Sequence, residues 1–243
     1  MIQARNLIKS YGNRKVLRGL SLNVASGEIV SLIGSNGAGK TTLLRILANL
    51  TRADAGSVIL EAFSVRDQPE TYRRQLGVVL HAPMLYGNLS ARENLRFFSR
   101  LYQIDNPLER VEFLLERVNL RSRADDLVRA YSRGMQQRLA IARALLHHPS
   151  CLLLDEPYTG LDPDSAKMFE TLVLESAAGG KTVLLATHDL ENACRISTRI
   201  DLLHQGKIAF THPRNDLTAN ELNRLYHDVT NGPEVRALEQ SAQ

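Results

Sequence analysis

The sequence contains little cysteine and no long hydrophobic run. Its 243 residues include only two cysteines, Cys151 and Cys194, which lie far apart in apolar or helical surroundings. This placement favours buried reduced thiols over a disulfide or a metal site. The longest apolar runs, CLLL at 151–154 and TVLLA at 182–186, fall far short of the roughly 20 residues that cross a bilayer. We therefore expect no transmembrane segment.

The sequence also lacks a secretory signal and a basic block. The start, MIQARNLIKSYGN, has no apolar segment behind its charges, which predicts a cytoplasmic protein. The net charge of +4 is spread along the chain, so we do not expect nucleic acid as a partner. With 44 % hydrophobic residues, the chain is able to bury a core as one large domain or as two lobes.

Local patterns divide the chain into three zones. Residues 1 to about 80 carry short β-like runs, EIVSLIG and GSVILEA among them, separated by glycine turns. The middle zone is helical, and β-like runs return from CLLLDEP onward, so we expect the two outer zones to share one sheet. The final segment, NELNRLYHDVTNGPEVRALEQSAQ, predicts a helix and a polar tail.

The middle zone contains start signals for two helices. Ser90 and Glu93 form a capping box, and Asn106 is the N-cap of a second helix with Pro107 in its first position. Apolar residues recur at helical spacing in both segments. The first segment contains Leu95, Phe98, Leu101 and Tyr102, and the second contains Leu108, Val111, Leu115 and Val118. These patterns predict a helical insert between about residues 84 and 148.

The strongest chemical signal is GSNGAGKTT. It follows the apolar run from Ile29 to Ile33 and precedes the helix-like LLRILANL, so the glycine loop joins a strand to a helix, as in a phosphate-binding loop. The glycines let backbone N–H groups surround a phosphate, Lys40 meets the terminal phosphates, and Thr41 is suited to hold Mg²⁺. The nucleotide-binding residues predicted by this motif are Gly34, Ser35, Asn36, Gly37, Ala38, Gly39, Lys40, Thr41 and Thr42.

A second motif, CLLLDEP, supplies acidic residues. Its apolar residues predict a buried strand, and Asp155 lies at the end, where a carboxylate orients Mg²⁺ through water. The adjacent Glu156 is suited to polarise the attacking water as a general base, a role that simple nucleotide binding does not require. A hydrophobic run that ends in two acids is often only structural, but together with the glycine loop it indicates a nucleotide hydrolase.

Between these two motifs lies YSRGMQQRLAIARALL, which resembles the signature sequence of ATP-binding cassette (ABC) transporter ATPases. EPYTGLD at 156–162 and LLATHDL at 184–190 complete the family's order of motifs over roughly residues 5 to 210. The resemblance implies an α/β fold, with a P-loop NTPase (RecA-like) core, a small antiparallel β subdomain and an inserted α-helical subdomain. It implies one ATPase domain at 1–215, with the helical insert at about 84–148, and a C-terminal helix and polar tail at 216–243.

The resemblance also implies roles for individual residues. Tyr11 would stack on adenine, and Ser132 and Gly134 would contact the γ-phosphate of ATP bound to the opposite subunit. Asp162 would lie at the dimer seam. His188 would sense the γ-phosphate and, with Glu156, belong to the catalytic residues.

Two places depart from the family pattern. In the signature, normally LSGGQ, Arg133 and Met135 replace a glycine and a glutamine. A glutamine that normally touches Mg²⁺ or the attacking water is also absent, and its position falls at His81, or at Ala82 by the pattern of the haem exporter. Either the His81 imidazole supplies the contact, or the contact is lost or made by water. The apolar segment 83–86 then serves as a dock for a coupling helix or as part of the core.

The family mechanism implies a pair of chains. Two copies would close head to tail around two ATP molecules, and hydrolysis by Glu156-directed water would let them separate. ATP and Mg²⁺ are the implied cofactors. The chain would act with separate transmembrane subunits, as a peripheral protein on the cytoplasmic face of the cell membrane.

The sequence says less about the cargo, meaning the molecule that is transported. LRILANLTRADAGSV and ENLRFFSRLYQ most resemble the ATPase subunit of the haem exporter used in cytochrome c maturation, which predicts haem export for cytochrome c biogenesis. The alternative is an exporter of drugs, ions or lipids, because signatures with GM in place of GQ occur there too. A regulator that binds ATP without hydrolysing it is a further alternative.

Overall fold

The computed structural model describes residues 1–214 and 217–240, and this part of the chain forms ten strands and eight α-helices. The strands are β1 (Ile2–Tyr11), β2 (Arg14–Val24), β3 (Ile29–Ile33), β4 (Ala55–Leu60), β5 (Phe63–Ser64), β6 (Leu76–Val79), β7 (Cys151–Asp155), β8 (Thr182–Ala186), β9 (Arg199–His204) and β10 (Lys207–Pro213). The helices are α1 (Lys40–Leu47), α2 (Pro69–Arg74), α3 (Ala91–Leu101), α4 (Pro107–Arg117), α5 (Arg133–Leu145), α6 (Pro163–Ala178), α7 (Leu190–Ile196) and α8 (Ala219–Gln240). Within the described ranges, none of these helices has the length and apolar character to span a membrane.

The strands form two separate sheets. One is antiparallel with the order β2-β1-β4-β5, and the other has six strands in the order β10-β9-β3-β8-β7-β6. The expectation that the outer zones share one sheet is therefore wrong for part of the first zone: EIVSLIG supplies β3 of the larger sheet, whereas GSVILEA supplies β4 of the smaller one. Burial explains the division, because β3 is buried along its whole length, while the first half of β4 is exposed.

The larger sheet is parallel from β9 through β3, β8 and β7 to β6. The strands β3, β7 and β8 are fully buried, as their short, continuous apolar runs indicate. Because the carboxyl ends of parallel strands meet at one edge of a sheet, the segments that follow these three strands lie together. This edge collects the glycine loop, the two acidic residues and the segment that contains His188.

The helices α3, α4 and α5 lie in the chain between the neighbouring strands β6 and β7. The predicted capping box is confirmed, because the Glu93 N–H donates to the Ser90 hydroxyl and the Ser90 N–H donates to the Glu93 carboxylate. Asn106 is at the N-cap position of α4, but its side chain makes no capping hydrogen bond, since its φ of 49° is left-handed. Two residues of the predicted apolar faces, Leu101 and Leu108, are 63 % and 59 % exposed.

The two cysteines and the C-terminal segment follow the sequence-based predictions where the structure describes them. Both Cys151 and Cys194 are free and buried, and burial raises the pKa of Cys151 to about 12. The predicted C-terminal helix is present as α8, whose Leu222 is buried in a small cluster with residues of α7. Residues 215–216 and 241–243, which include the end of the predicted polar tail, lie outside the described residues.

Candidate functional site

The loop between β3 and α1 depends on its glycines. Gly37 and Gly39 have φ values of 80° and 115°, which glycine adopts far more readily than other residues. A Cβ atom on Gly34 would lie 2.4 Å from the backbone oxygen of Leu203 on the adjacent strand β9, so a larger residue does not fit. The helix α1 begins at Lys40, directly after this loop. Backbone N–H groups and a positive helix end are therefore available to a phosphate at one place.

Lys40 is buried inside the loop, with 7 % of its surface exposed. Its ammonium group donates hydrogen bonds to the carbonyl oxygens of Gly34 at 2.5 Å and Ser35 at 3.3 Å. Burial lowers the pKa of Lys40, and the negative charges of Glu156 and Asp155 oppose this shift. The loop thus holds an oriented cation close to both carboxylates.

Asp155 ends β7 and is only 3 % exposed. The Thr41 side chain is close enough to favour the ionised form of this carboxylate and so to lower its pKa, but the Oδ1 atom has no hydrogen-bond partner among the described residues. Burial is the largest cause of a raised pKa for Asp155, and the charge of Glu156 adds to it, whereas Thr41, Lys40 and His81 act in the opposite direction. A buried carboxylate oxygen beside a threonine hydroxyl is a suitable pair of ligands for Mg²⁺.

Glu156 is held by the residues that follow β8. Its Oε1 atom is 2.9 Å from Nδ1 of His188, whose side chain is 72 % exposed, and the Thr187 hydroxyl donates to Oε2 at 3.3 Å. The Glu156 N–H donates to the Ala186 carbonyl oxygen at 2.9 Å, and the residue has a φ of 49°, which glutamate rarely adopts. Thr187 is 1 % exposed and also accepts a hydrogen bond from the Asp189 N–H at 3.1 Å. Thr187 was not among the predicted site residues, although it stands next to His188 in LLATHDL.

Most of the predicted site residues line one cleft of about 440 Å³. The lining residues that the sequence analysis named are Tyr11, Ser35, Asn36, Gly37, Gly39, Lys40, Thr41, Thr42, Asp155 and Glu156. Two further lining residues, Arg14 and Val16 at the start of β2, were not named. The remaining loop residues do not line the cleft, because Gly34 lies against β9 and Ala38 is buried in the core.

The signature residues lie outside this cleft. Ser132 is the N-cap of α5, and its hydroxyl accepts a hydrogen bond from the Met135 N–H at 3.2 Å. A Cβ atom on Gly134 would lie 2.7 Å from the carbonyl oxygen of Gly160, so the signature packs closely on EPYTGLD. Asp162 is the N-cap of α6. Because Ser132 and Asp162 are exposed and line another part of the surface, they do not complete the cleft of their own chain.

His81 and Ala82, the two candidates for the glutamine position, are both exposed just after β6. The charge of His81 lowers the pKa of Asp155, so the imidazole lies within electrostatic range of that carboxylate. Farther along the segment, Leu85 is half-buried against the helical core, whereas Tyr86 is 50 % exposed. The segment therefore contributes both to the core and to the surface.

The fold and the cleft together define a class of protein. A glycine loop between a parallel strand and a helix, with two carboxylates at the same edge of the sheet, is the arrangement of P-loop nucleotide hydrolases. The cleft holds the ammonium, hydroxyl and carboxylate groups that this chemistry uses.

Comparison with known proteins places the chain within this class. Residues 17–159 match the ABC transporter family. The chain is 39 % identical over 232 residues to the Nod factor export ATP-binding protein I of Paraburkholderia xenovorans (strain LB400), covering 95 % of this chain and 76 % of the relative. It is also similar to the solved ATP-binding subunit of an ABC transporter, with a TM-score of 0.86, 30 % identity and coverage of 93 % and 99 % of the two chains.

A second solved structure is a dimeric, post-hydrolysis state of an ATP-binding cassette bound to ADP and phosphate. Its TM-score is 0.79 at 29 % identity, with coverage of 89 % of this chain and 100 % of that chain. The protein belongs to the ABC transporter family, as an ATP-binding subunit. The predicted fold class is confirmed by these neighbours and by the two sheets described above.

Proposed function

We propose that this protein hydrolyses ATP to drive export through separate membrane subunits. The observation that carries the proposal is the Glu156 carboxylate, whose two oxygens are hydrogen-bonded to His188 and Thr187 beside the glycine loop. A protein that only binds ATP does not need a carboxylate oriented in this way. This geometry therefore favours a hydrolase over the alternative of a regulator that binds ATP without turnover.

The residues in and beside the cleft have separate roles in hydrolysis. Lys40 and the N–H groups of the loop bind the phosphates and neutralise the charge that develops on them. Tyr11, 50 % exposed at the rim, provides an aromatic surface for adenine. Glu156 orients and polarises the attacking water. His188, hydrogen-bonded to the same carboxylate, senses the γ-phosphate.

The residues at the end of β7 fit a Mg²⁺ ion. Asp155 has a buried oxygen without a partner in the described part of the chain, and the Thr41 hydroxyl is next to it. Mg²⁺ keeps several waters and needs only one or two protein ligands besides the phosphates. When bound, the ion would neutralise negative charge on the phosphates. Asp155 and Thr41 are the residues that would hold it.

A complete site requires a second copy of the chain. Ser132, Gly134 and Asp162 lie outside the cleft that holds the glycine loop, and the N-terminus of α5 carries no acidic residue in its first turn. A head-to-tail pair brings the signature of one chain to the loop of the other, where the Ser132 hydroxyl and the helix end are suited to contact a γ-phosphate. The similar cassette solved as a dimer supports this arrangement.

The surface after β6 is suited to contact membrane subunits. The ring of Tyr86 packs against Phe97 and Phe98, with centroid distances of 5.0 and 6.0 Å. Met84, Tyr86 and Phe97 are 42 %, 50 % and 43 % exposed, and an exposed apolar patch of this kind often marks an interaction site. The patch supports contact with membrane subunits and therefore a peripheral position at the membrane, with His81 linking the patch to the cleft. The cytoplasmic face is proposed from the family resemblance alone.

Two proposals concern the cargo: the direction of transport, which is export, and the chemical class of the exported molecule. Export as such is supported by the relative named for Nod factor export. Haem export for cytochrome c biogenesis stays a prediction based on the sequence stretches quoted above, with drugs, ions or lipids as the alternative. Because the cleft binds ATP and not the cargo, identifying the membrane subunits captured by the ATP-bound protein is the direct way to choose between them.

Glu156→Gln tests the hydrolytic role. The variant should bind ATP as the parent protein does, lose turnover, and form an ATP-dependent dimer that light scattering detects. Glu109→Gln, the same change at an exposed position on α4, is the control and should leave turnover unchanged. Parental turnover in Glu156→Gln would show that the base is a different group, and a fixed monomer with ATP would contradict the paired mechanism.

A further inference from the structure

A tight hairpin places an aromatic ring and a guanidinium group side by side at the nucleotide cleft. Tyr11 and Arg14 are direct partners in the β1–β2 ladder, separated by the turn at Gly12 and Asn13. Residues directly opposite each other in an antiparallel pair point to the same face of the sheet. Both side chains are exposed, and both line the cleft that contains the glycine loop.

The Arg14 side chain extends from this hairpin to the glycine loop. A Cβ atom on Gly37 would lie 3.1 Å from Nη2 of Arg14, so the guanidinium lies against the backbone of the loop. The N–H groups of such a loop surround a bound phosphate. The guanidinium therefore lies between the Tyr11 ring, where adenine is expected, and the loop that takes the phosphates.

The charge of Arg14 is not neutralised within the described part of the protein. No ion pair or hydrogen bond of its guanidinium is found there, whereas Lys9, which is 5.4 Å from the Tyr11 ring centroid, forms an ion pair with Asp54 at 2.8 Å. A planar guanidinium with unpaired donors is well matched to phosphate oxygens, which it binds with two parallel hydrogen bonds. Arg14 thus has the charge, the position and the free donors of a phosphate ligand.

We propose that Arg14 binds the phosphate chain of the nucleotide at the end nearest the ribose, while Lys40 binds the terminal phosphates. The inference rests on the proposed ATP site and adds to it a ligand that comes from the antiparallel sheet. Arg14 thereby connects the Tyr11 ring to the glycine loop. Its contribution to binding free energy is the same for every nucleotide that has a phosphate next to the ribose.

Arg14→Gln tests this assignment, with Arg18→Gln as a matched control. Arg18 is exposed four residues farther along the same strand. It lines an adjoining cavity of about 470 Å³, which Arg14 and part of the glycine loop also line, but it does not line the nucleotide cleft. Both variants lose one positive charge, so long-range electrostatics change equally. Isothermal titration should measure the dissociation constants of ATP, ADP, AMP and adenosine for the parent protein and for both variants.

Arg14→Gln should weaken binding of ATP, ADP and AMP about tenfold and leave adenosine unchanged, because a charge-assisted hydrogen bond to phosphate is lost. Arg18→Gln should bind all four as the parent does, and Arg14→Lys should recover part of the loss. Parental ATP affinity in Arg14→Gln, or equal weakening in the two glutamine variants, would overturn the assignment. If the parent protein itself bound no ATP, the proposed function would fail and this inference with it.

Discussion

Replacing Asp155 by asparagine removes a negative charge that the fold buries at the end of β7. The side chain is 3 % exposed, and its Oδ1 atom has no hydrogen-bond partner among the described residues. Asparagine has nearly the same shape and keeps one oxygen that is able to face the Thr41 side chain. The substitution therefore changes charge and metal affinity with little change in packing.

Burial raises the pKa of Asp155 above its ordinary value of 3.8, even though Thr41, Lys40 and His81 favour the ionised form. A carboxyl group with a raised pKa in the folded state stabilises the fold at low pH, and this contribution is lost as the pH rises through the folded-state pKa. At neutral pH the ionised group is therefore a net cost. A buried, unpaired polar group costs about 1–3 kcal/mol and more when it is charged. Asparagine removes only the extra cost of the charge, so we expect Asp155→Asn to stabilise the metal-free protein by about 1 kcal/mol, which is about 2–4 °C in Tm for a chain of this size.

Differential scanning fluorimetry with a chelator, from pH 4.5 to 8, measures this effect. The difference in melting temperature between Asp155→Asn and the parent protein should be smallest at acidic pH. It should grow with pH until the Asp155 carboxyl of the parent is fully ionised. Asp67→Asn, at an exposed aspartate, is the control and should leave the melting temperature unchanged. With ATP present, added Mg²⁺ should stabilise the parent protein further but not Asp155→Asn, because the variant lacks the carboxylate that orients the ion.

Two results would refute this reasoning. A lower melting temperature for Asp155→Asn at neutral pH without metal would mean that the carboxylate is a net stabilising group in the fold. An equal gain from Mg²⁺ and ATP in the parent and the variant would mean that Asp155 does not take part in holding the metal.

Two further substitutions test the groups around the carboxylates. Thr187→Val removes the hydroxyl that orients Glu156, so ATP turnover should fall about tenfold or more through misplacement of the base, while ATP affinity stays unchanged and Thr187→Ser restores the rate. Phosphate release and equilibrium ATP binding separate these effects, and an unchanged turnover rate would exclude a positioning role. His81→Gln should preserve or raise ATPase activity, because it restores the family's usual residue near Asp155; a collapse of activity would instead assign a specific role to the histidine.

Several features of the cleft follow from short stretches of sequence. The glycine loop was predicted between a strand and a helix, and Gly37 and Gly39 have the positive φ values that explain the need for glycine. Asp155 was predicted at the end of a buried strand because four apolar residues precede it, and the strand is buried throughout. Such features are local, since the backbone conformation and burial of a few neighbouring residues determine them.

Other features depend on residues that are distant in the chain. Arg14 reaches the glycine loop only because β2 folds back on β1, and Thr187 meets Glu156 only because β8 lies beside β7. Leu101 and Leu108 have the spacing of a buried face, yet both are exposed. Periodicity identifies an apolar face but does not say what packs on it.

By itself, the sequence determined the phosphate loop, the acidic pair, the helical middle zone and the membership of a nucleotide hydrolase class. It determined them because each depends on contiguous residues whose backbone preferences and hydrophobic spacing act locally. Only the tertiary structure decided which N-terminal strands enter which sheet, that Arg14 lies against the loop, and that the Thr187 hydroxyl meets the Glu156 carboxylate. Those outcomes depend on strand pairing and burial between distant segments, which the order of residues along one stretch does not specify.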